Sequence, residues 1–259
     1  LPTENYELFT GNDSYQIYKE VSGAFVLVYN KASGLTQDEK IRQAVNAAVN
    51  PEEVLLGAYS SDEFYRIETS YMGEEMTNWY SEAGADNAHQ VDMELAKNYL
   101  DEAGYDGTTF RILVPSENVF FCNAAVIVQA ELQAIGMNVE IITADSSSYS
   151  SYRNDETKYD IFFSNTLPVS VPTLQIFLSP TWAGFTSDQA IFDACDAINS
   201  STSIEEAKEK WDDLQAYCWE ESLPVTKLGS VFNYTVTSDK VDGFIYFNGP
   251  VIVNTTVSE

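Results

Sequence analysis

Residues 108–143 read TTFRILVPSENVFFCNAAVIVQAELQAIGMNVEIIT. TTFRILV is rich in β-branched and aromatic residues, the composition of a strand. Residues 118–135 then carry Phe121, Ala125, Val128, Leu132 and Ile135 at helical spacing, and Gly136 stops the run. MNVEIIT returns to strand. Strand, helix and strand in one short stretch imply an α/β sheet with helices over its faces.

The same alternation extends upstream. AFVLVYN (24–30) reads as a strand. TQDEKIRQAVNAAV follows as a helix, with Thr36 and Glu39 as its capping box. NPEEVLLGAY opens a second short helix with Asn50 as cap and Pro51 at the first helical position. Residues 57–91 are irregular, polar and aromatic. Residues 92–103 form a helix with Ala96, Tyr99, Leu100 and Ala103 on one face and Gly104 at its end.

Downstream, a helical segment is expected around Tyr149 and Tyr152, and YDIFFS is a strand. Two helices follow, near 188–199 and 203–220. Ser203 and Glu206 cap the second, and Ile204, Ala207, Trp211, Leu214 and Cys218 line its inner face. PVTKLG, VFNYTVTS and FIYFN then read as three strands. The ends, 1–30 and 230–259, are richer in strand than the middle.

Composition narrows the function. The 259 residues are 44% hydrophobic and 13% aromatic, enough for a packed core. The formal charge is −27. Nucleic acid is therefore a poor partner, because phosphate binding needs clustered Lys and Arg. The field favours neutral or cationic ligands. Cys122, Cys195 and Cys218 are an odd set and read as buried thiols. His89 is the only histidine and lies in the polar loop, where a solvated side chain is expected. No zinc spacing, P-loop, nucleophile elbow or dinucleotide fingerprint occurs. Clusters such as Asp62–Glu63, Glu74–Glu75 and Glu220–Glu221 read as solvated faces. The loop aromatics Trp79 and Trp182 either anchor their loops or line a pocket.

One stretch ends in a way a core does not require. YDIFFSNTLPVSVPTLQIFL (159–178) begins as a buried strand. It passes through Ser164, Asn165 and Thr166 and continues as an apolar loop stiffened by Pro168 and Pro172. Such an ending suits the rim of a binding site.

Several segments resemble one family in order. They are FVLVYN…LTQDEKIRQAVNAAVNPEEVL, DMELAKNYLDEAGYDG, VIVQAELQAIGMNVEI, EKWDDLQAYCWEESLPVTKL and SDKVDGF. Together they resemble the extracellular solute-binding protein family 5 of ABC importers, the oligopeptide and dipeptide binders, over about residues 24–245. The resemblance is to the second half of the family's longer chains. It implies a periplasmic-binding-protein-like (type II) α/β lobe at 31–229, with a mixed sheet flanked by helices. It also implies that residues 1–30 and 230–259 are strands of the other lobe.

The implied function is capture of a peptide or other small solute outside the membrane and delivery to an ABC permease. No catalysis, cofactor or metal is implied. The implied location is the extracellular face, through a lipid anchor upstream of this chain, or the periplasm. A surface receptor or adhesion module on the same fold is the alternative. In the family, a Gly-Trp edge runs beside the peptide and an Asp meets the ligand's α-amino group. Here Asn165 and Thr166 stand for Gly-Trp, Leu167 follows, and Val169 (or Pro168) stands for the Asp. Arg153 falls near a position that holds a ligand carboxylate, although by itself it reads as an exposed helix-end Arg. Trp182 completes the expected ligand-binding set. Arg42 matches the family's helix Arg and is expected to be structural, paired with a carboxylate.

Overall fold

The computed structural model describes residues 1, 3–246 and 250–258. Six strands form the central sheet: β1 (Tyr15–Tyr29), β2 (Tyr65–Arg66), β3 (Phe110–Pro115), β4 (Val139–Ala144), β5 (Ile161–Thr166) and β6 (Val225–Ser238). Their order is β2-β6-β1-β5-β3-β4. β5, β3 and β4 run parallel, and β1 pairs antiparallel with both β5 and β6. The sheet is thus mixed, as expected. Phe25 to Tyr29 and Ile161 to Phe163 are continuously buried. That is the signature of strands covered on both faces.

Seven helices are described: α1 (Glu39–Ala48), α2 (Pro51–Tyr59), α3 (Met93–Glu102), α4 (Val119–Ala134), α5 (Ser146–Arg153), α6 (Gln189–Asn199) and α7 (Ile204–Tyr217). α1 packs on α3, α2 on α4, and α6 on α7. The Asn50 cap forms, its side chain accepting from the Glu52 N–H. The cap of α1 differs from expectation. Asp38 accepts from the Lys40 N–H, while Thr36 is buried and donates to the carbonyls of Asn30 and Asp160. A hydroxyl held by two buried carbonyls is not free to cap.

Other expectations need revision. PVTKLG and VFNYTVTS are one strand, β6, because it pairs along nearly all of the similarly long β1. Ile204 sits in the first turn of α7 and is exposed, whereas Ala207, Trp211, Leu214 and Cys218 are buried. Arg42 is structural, but it donates to the carbonyls of Thr36, Gln37 and Ser222 rather than to a carboxylate. His89 is half-buried and partnered rather than free in solvent. Its Nε2 lies 2.6 Å from the Lys227 carbonyl oxygen and its ring meets Trp219 edge-on. All three cysteines are free, but only Cys218 is fully buried. Of FIYFN, residues 245–246 form a short strand, β7 (Ile245–Tyr246), paired with β8 (Pro250–Val251). Phe247 and Asn248 lie outside the described residues.

β1 passes through two environments. Ala24–Tyr29 pair with β5 inside the sheet. Tyr15–Val21 pair only with Phe232–Ser238 of β6 and form a two-stranded ribbon. The boundary set at residue 30 therefore falls at the end of a strand whose last six residues are central to the sheet.

The α2–α4 contact contains a buried carboxyl. Glu131 Oε1 accepts from the Asn50 N–H at 3.1 Å, and Oε2 has no partner among the described residues. Burial pushes this carboxyl up to about 8, against the Asn50 hydrogen bond that lowers it. Unfolded, it ionises near 4.5. Between those values the native state holds the extra proton, so stability falls as pH rises through that window. Glu131→Gln is expected to raise stability by about 1–3 kcal/mol at pH ~9 and to change it little at pH ~5. Urea unfolding at both pH values checks this, and equal effects at the two would contradict it.

Candidate functional site

The rim at the end of β5 is positioned by its neighbours. β5 runs parallel to β3, so Thr166 lies at the carboxyl edge of the parallel strands, where open α/β sheets bind ligands. Asn165 pairs with Phe25 and Thr166 with Ala24 of β1. Close approach fixes this register. A Cβ on Gly23 would stand 2.4 Å from the Thr166 carbonyl oxygen, so only glycine lets β1 pass there. Thr166 is buried and Asn165 is exposed. Asn165 lies beside the Tyr59 phenol, which burial pushes up to about 12 while the hydrogen bond to Asn165 pulls it down.

Beyond Thr166 the chain leaves the sheet. Leu167 is 75% exposed. Two short 3-10 turns, Pro172–Leu174 and Ile176–Leu178, bring Leu174 and Ile176 to the same surface, 61% and 43% exposed. These side chains line a cleft of about 370 Å³ together with Arg153, Ser164, Asn165, Thr166, Val169 and Trp182. Every residue expected at the site from sequence, Arg153, Asn165, Thr166, Leu167, Val169 and Trp182, borders this one space. Ser164, read as part of the rim but not among the expected ligand contacts, also borders it, as do Leu174 and Ile176, which the sequence did not mark. The last two lie in PTLQIFL, where Leu174, Ile176 and Leu178 alternate as in a strand, yet the segment folds as 3-10 turns that expose the first two and bury the third.

A buried aromatic platform orients the two largest groups. Phe162 of β5 is fully buried. Trp182 meets it edge-on, with ring centroids 5.7 Å apart. The Arg153 guanidinium sits 5.7 Å from the Phe162 ring centre and 5.8 Å from that of Tyr149. Tyr149 is held by its hydroxyl, which donates to the Phe163 carbonyl at 2.8 Å. Cation–π packing holds Arg153 but uses none of its five N–H donors. Its side chain makes no ion pair among the described residues, meets only the Tyr149 phenol and the Phe162 ring, and leaves its Nε buried without a partner. The other arginines differ: Arg42 binds carbonyls, Arg66 binds Glu68, Glu74 and Glu75, and Arg111 binds Asp160. Arg153 is also the only charged residue bordering the cleft among the described residues. In a chain of charge −27, this cleft presents an apolar strip with one available cation.

Trp79, the other loop tryptophan, packs half-buried against the core and so anchors its loop. Its backbone carbonyl accepts from the buried Trp211 indole N–H at 2.8 Å.

Comparison with known proteins places these features in context. The sequence profile of the bacterial extracellular solute-binding proteins, family 5 Middle, matches residues 1–189. Among curated proteins, the "Probable peptide ABC transporter periplasmic-binding protein y4tO" of Sinorhizobium fredii is 32% identical over 128 residues, covering 47% of this chain and 23% of that protein. Among solved structures, the oligopeptide-binding protein AppA of Bacillus subtilis, in complex with a nonapeptide, aligns with a TM-score of 0.80 at 17% identity. It is matched over 100% of this chain and 55% of its own. NikA of Staphylococcus aureus, in complex with Ni(L-His)2, aligns with a TM-score of 0.80 at 14% identity, over 100% of this chain and 56% of its own. The chain spans about half the length of these solved relatives. At such identities they establish the type II periplasmic-binding fold.

Proposed function

The chain belongs to the bacterial extracellular solute-binding proteins, family 5, and from that premise we propose that it captures a small solute at the β5 rim for uptake through an ABC permease. On this reading residues 31–229 form a ligand-binding lobe together with Ala24–Tyr29, which lie inside its sheet, and the ribbon of Tyr15–Val21 with Phe232–Ser238 runs toward a first lobe. The protein acts at the extracellular face or in the periplasm. It works by capture and handover, with no bond made or broken.

One observation carries the proposal: the convergence of Arg153, Asn165, Thr166, Leu167, Val169 and Trp182 on a single cleft. Exposed Leu167, Leu174 and Ile176 offer an apolar strip. Such a patch on a soluble surface marks a binding region. Arg153 gives it one fixed point of charge. The ligand class that fits is a peptide or other small solute with an apolar face and an anionic group for Arg153. The relatives named above were solved with a nonapeptide and with a nickel–histidine complex, so the fold accommodates both peptides and other solutes.

Mass spectrometry of small molecules that co-purify with the chain identifies the solute. Calorimetry with that solute then tests the site. Combined Asn165→Ala, Thr166→Ala and Trp182→Ala replacement is expected to weaken binding by about tenfold to a hundredfold, since a buried aromatic anchor alone is worth ~2 kcal/mol. Unchanged affinity would place the site elsewhere.

A further inference from the structure

A second cavity, of about 50 Å³, lies behind the rim. Ala24, Met72, Met76, Leu167, Gln175 and Lys227 are among the residues lining it. Thr166, Leu167 and Val169 border both this cavity and the cleft, so the two spaces share a wall. A liquid water takes up ~30 Å³, so the cavity has room for one or two waters or a group of methanol size.

Its polar side chains include Glu75, Thr166, Gln175, Lys227 and Ser230; Glu75 is held by Arg66 and the Ser230 hydroxyl donates to Glu68. Gln175 is only 5% exposed. Its Nε2 donates to the Tyr71 carbonyl at 2.9 Å, which fixes the orientation of the amide. Its Oε1 is then an acceptor, buried and without a donor among the described residues. An unmet buried acceptor is costly, so such groups are normally satisfied by something. Lys227 also borders the space. It uses two of its three ammonium protons on Glu68 Oε1 and the Ser70 carbonyl, each at 2.6 Å. The open Gln175 acceptor beside the Lys227 ammonium suits a small neutral group that both gives and takes a hydrogen bond. A hydroxyl does this. A ligand ammonium would meet the Lys227 charge, and a carboxylate has no proton for Gln175.

We propose that this cavity is an inner subsite for a hydroxyl group, which donates to Gln175 Oε1 while the rest of the solute lies in the cleft. The role in solute capture rests on the function proposed above, but the cavity can be probed without it. The chain has four methionines. Met72 and Met76 border the cavity, while Met93 and Met137 do not. Methyl NMR of labelled methionine therefore gives two reporters and two controls.

The probes are methanol and, as an apolar counterpart, ethane. Methanol is expected to shift the Met72 and Met76 signals saturably and to leave Met93 and Met137 unmoved. Gln175→Leu should weaken methanol by about fivefold, the loss of one neutral hydrogen bond, and leave ethane no weaker. Should Gln175→Leu fail to fold, Ala24→Val fills the cavity from β1 and is expected to abolish the methanol response. Three results would each overturn the proposal: equal binding of methanol and ethane, methanol binding unaffected by Gln175→Leu, or no saturable shift, the last including a bound water that methanol does not displace. If the methanol response holds while the triple cleft variant keeps full solute affinity, the cavity stands and the cleft assignment falls.

Discussion

Lys227→Met is expected to lower the unfolding free energy by about 3–5 kcal/mol, the cost of breaking a buried ion pair by removing one partner. Lys227 is 1% exposed on β6. Its ammonium donates to Glu68 Oε1 and to the Ser70 carbonyl. Glu68 also accepts from the Ser230 hydroxyl and from Arg66 Nη2. Burial alone would raise the Glu68 carboxyl, but Lys227, then Ser230 and Arg66, hold it below the usual carboxylate range. Methionine fills the space of the lysine stem, so the loss isolates the charge. It leaves the Ser70 carbonyl unmet and Glu68 dependent on the Ser230 hydroxyl and the partly exposed Arg66. Joining Glu68→Leu to Lys227→Met should then cost less than the two single changes added together, by about 0.5–3 kcal/mol. Urea unfolding of the two single variants and the double measures this. A Lys227→Met variant within ~1 kcal/mol of the parent would mean that Arg66 and water replace the ammonium. Because Lys227 ties the loop after β2 to the sheet, the wall holding Met72 and Met76 depends on the same pair.

The sequence disclosed this cluster poorly, for a physical reason. Periodicity marks apolar faces, so α4, β3, β4 and the inner half of β5 were readable from their own residues. Hydrophobic residues must point to the core, and their spacing records which element they occupy. Lys227 and Glu68 lie 159 positions apart, and nothing local to either states that they pair. The same holds for Thr36. Its spacing to Glu39 fits a capping box, yet a tertiary contact with Asp160 claims the hydroxyl. His89 and Arg42 were also assigned partners by residue type, solvent for one and a carboxylate for the other. Backbone carbonyls took both places. The cleft was more legible because its residues are close in the chain. A strand that ends in Ser164, Asn165 and Thr166 before two prolines announces a rim. What it could not announce was the exposure of Leu174 and Ile176 or the loop of Met72, which arrives from another part of the fold.

Asp160→Ala is expected to cost about 3–5 kcal/mol, because the carboxylate is buried and joins three segments by charge-assisted hydrogen bonds. It is 1% exposed. Oδ2 accepts from the Arg111 backbone N–H at 2.8 Å and from Arg111 Nε at 3.0 Å. Oδ1 accepts from the Leu35 N–H at 2.9 Å. One side chain thus fixes the start of β5 to the start of β3 and to the turn between β1 and α1. Gly34 allows it, since a Cβ there would lie 2.3 Å from Oδ1. Alanine deletes all these acceptors and strands two partly buried N–H groups. Asparagine keeps the shape and one acceptor but removes the charge, so Asp160→Asn should cost less, about 2–3 kcal/mol. Arg111 limits both losses, because its guanidinium is partly exposed and also donates to the Thr157 carbonyl. Denaturant unfolding of the two variants orders these effects. Equal costs for Ala and Asn would show that charge, rather than acceptor number, dominates. Costs below ~1 kcal/mol for both would show that water reaches the junction once the carboxylate is gone. The rim itself should persist in the folded fraction. Thr166 is held by Ala24 and by the close passage of Gly23, contacts at the opposite end of β5 from Asp160.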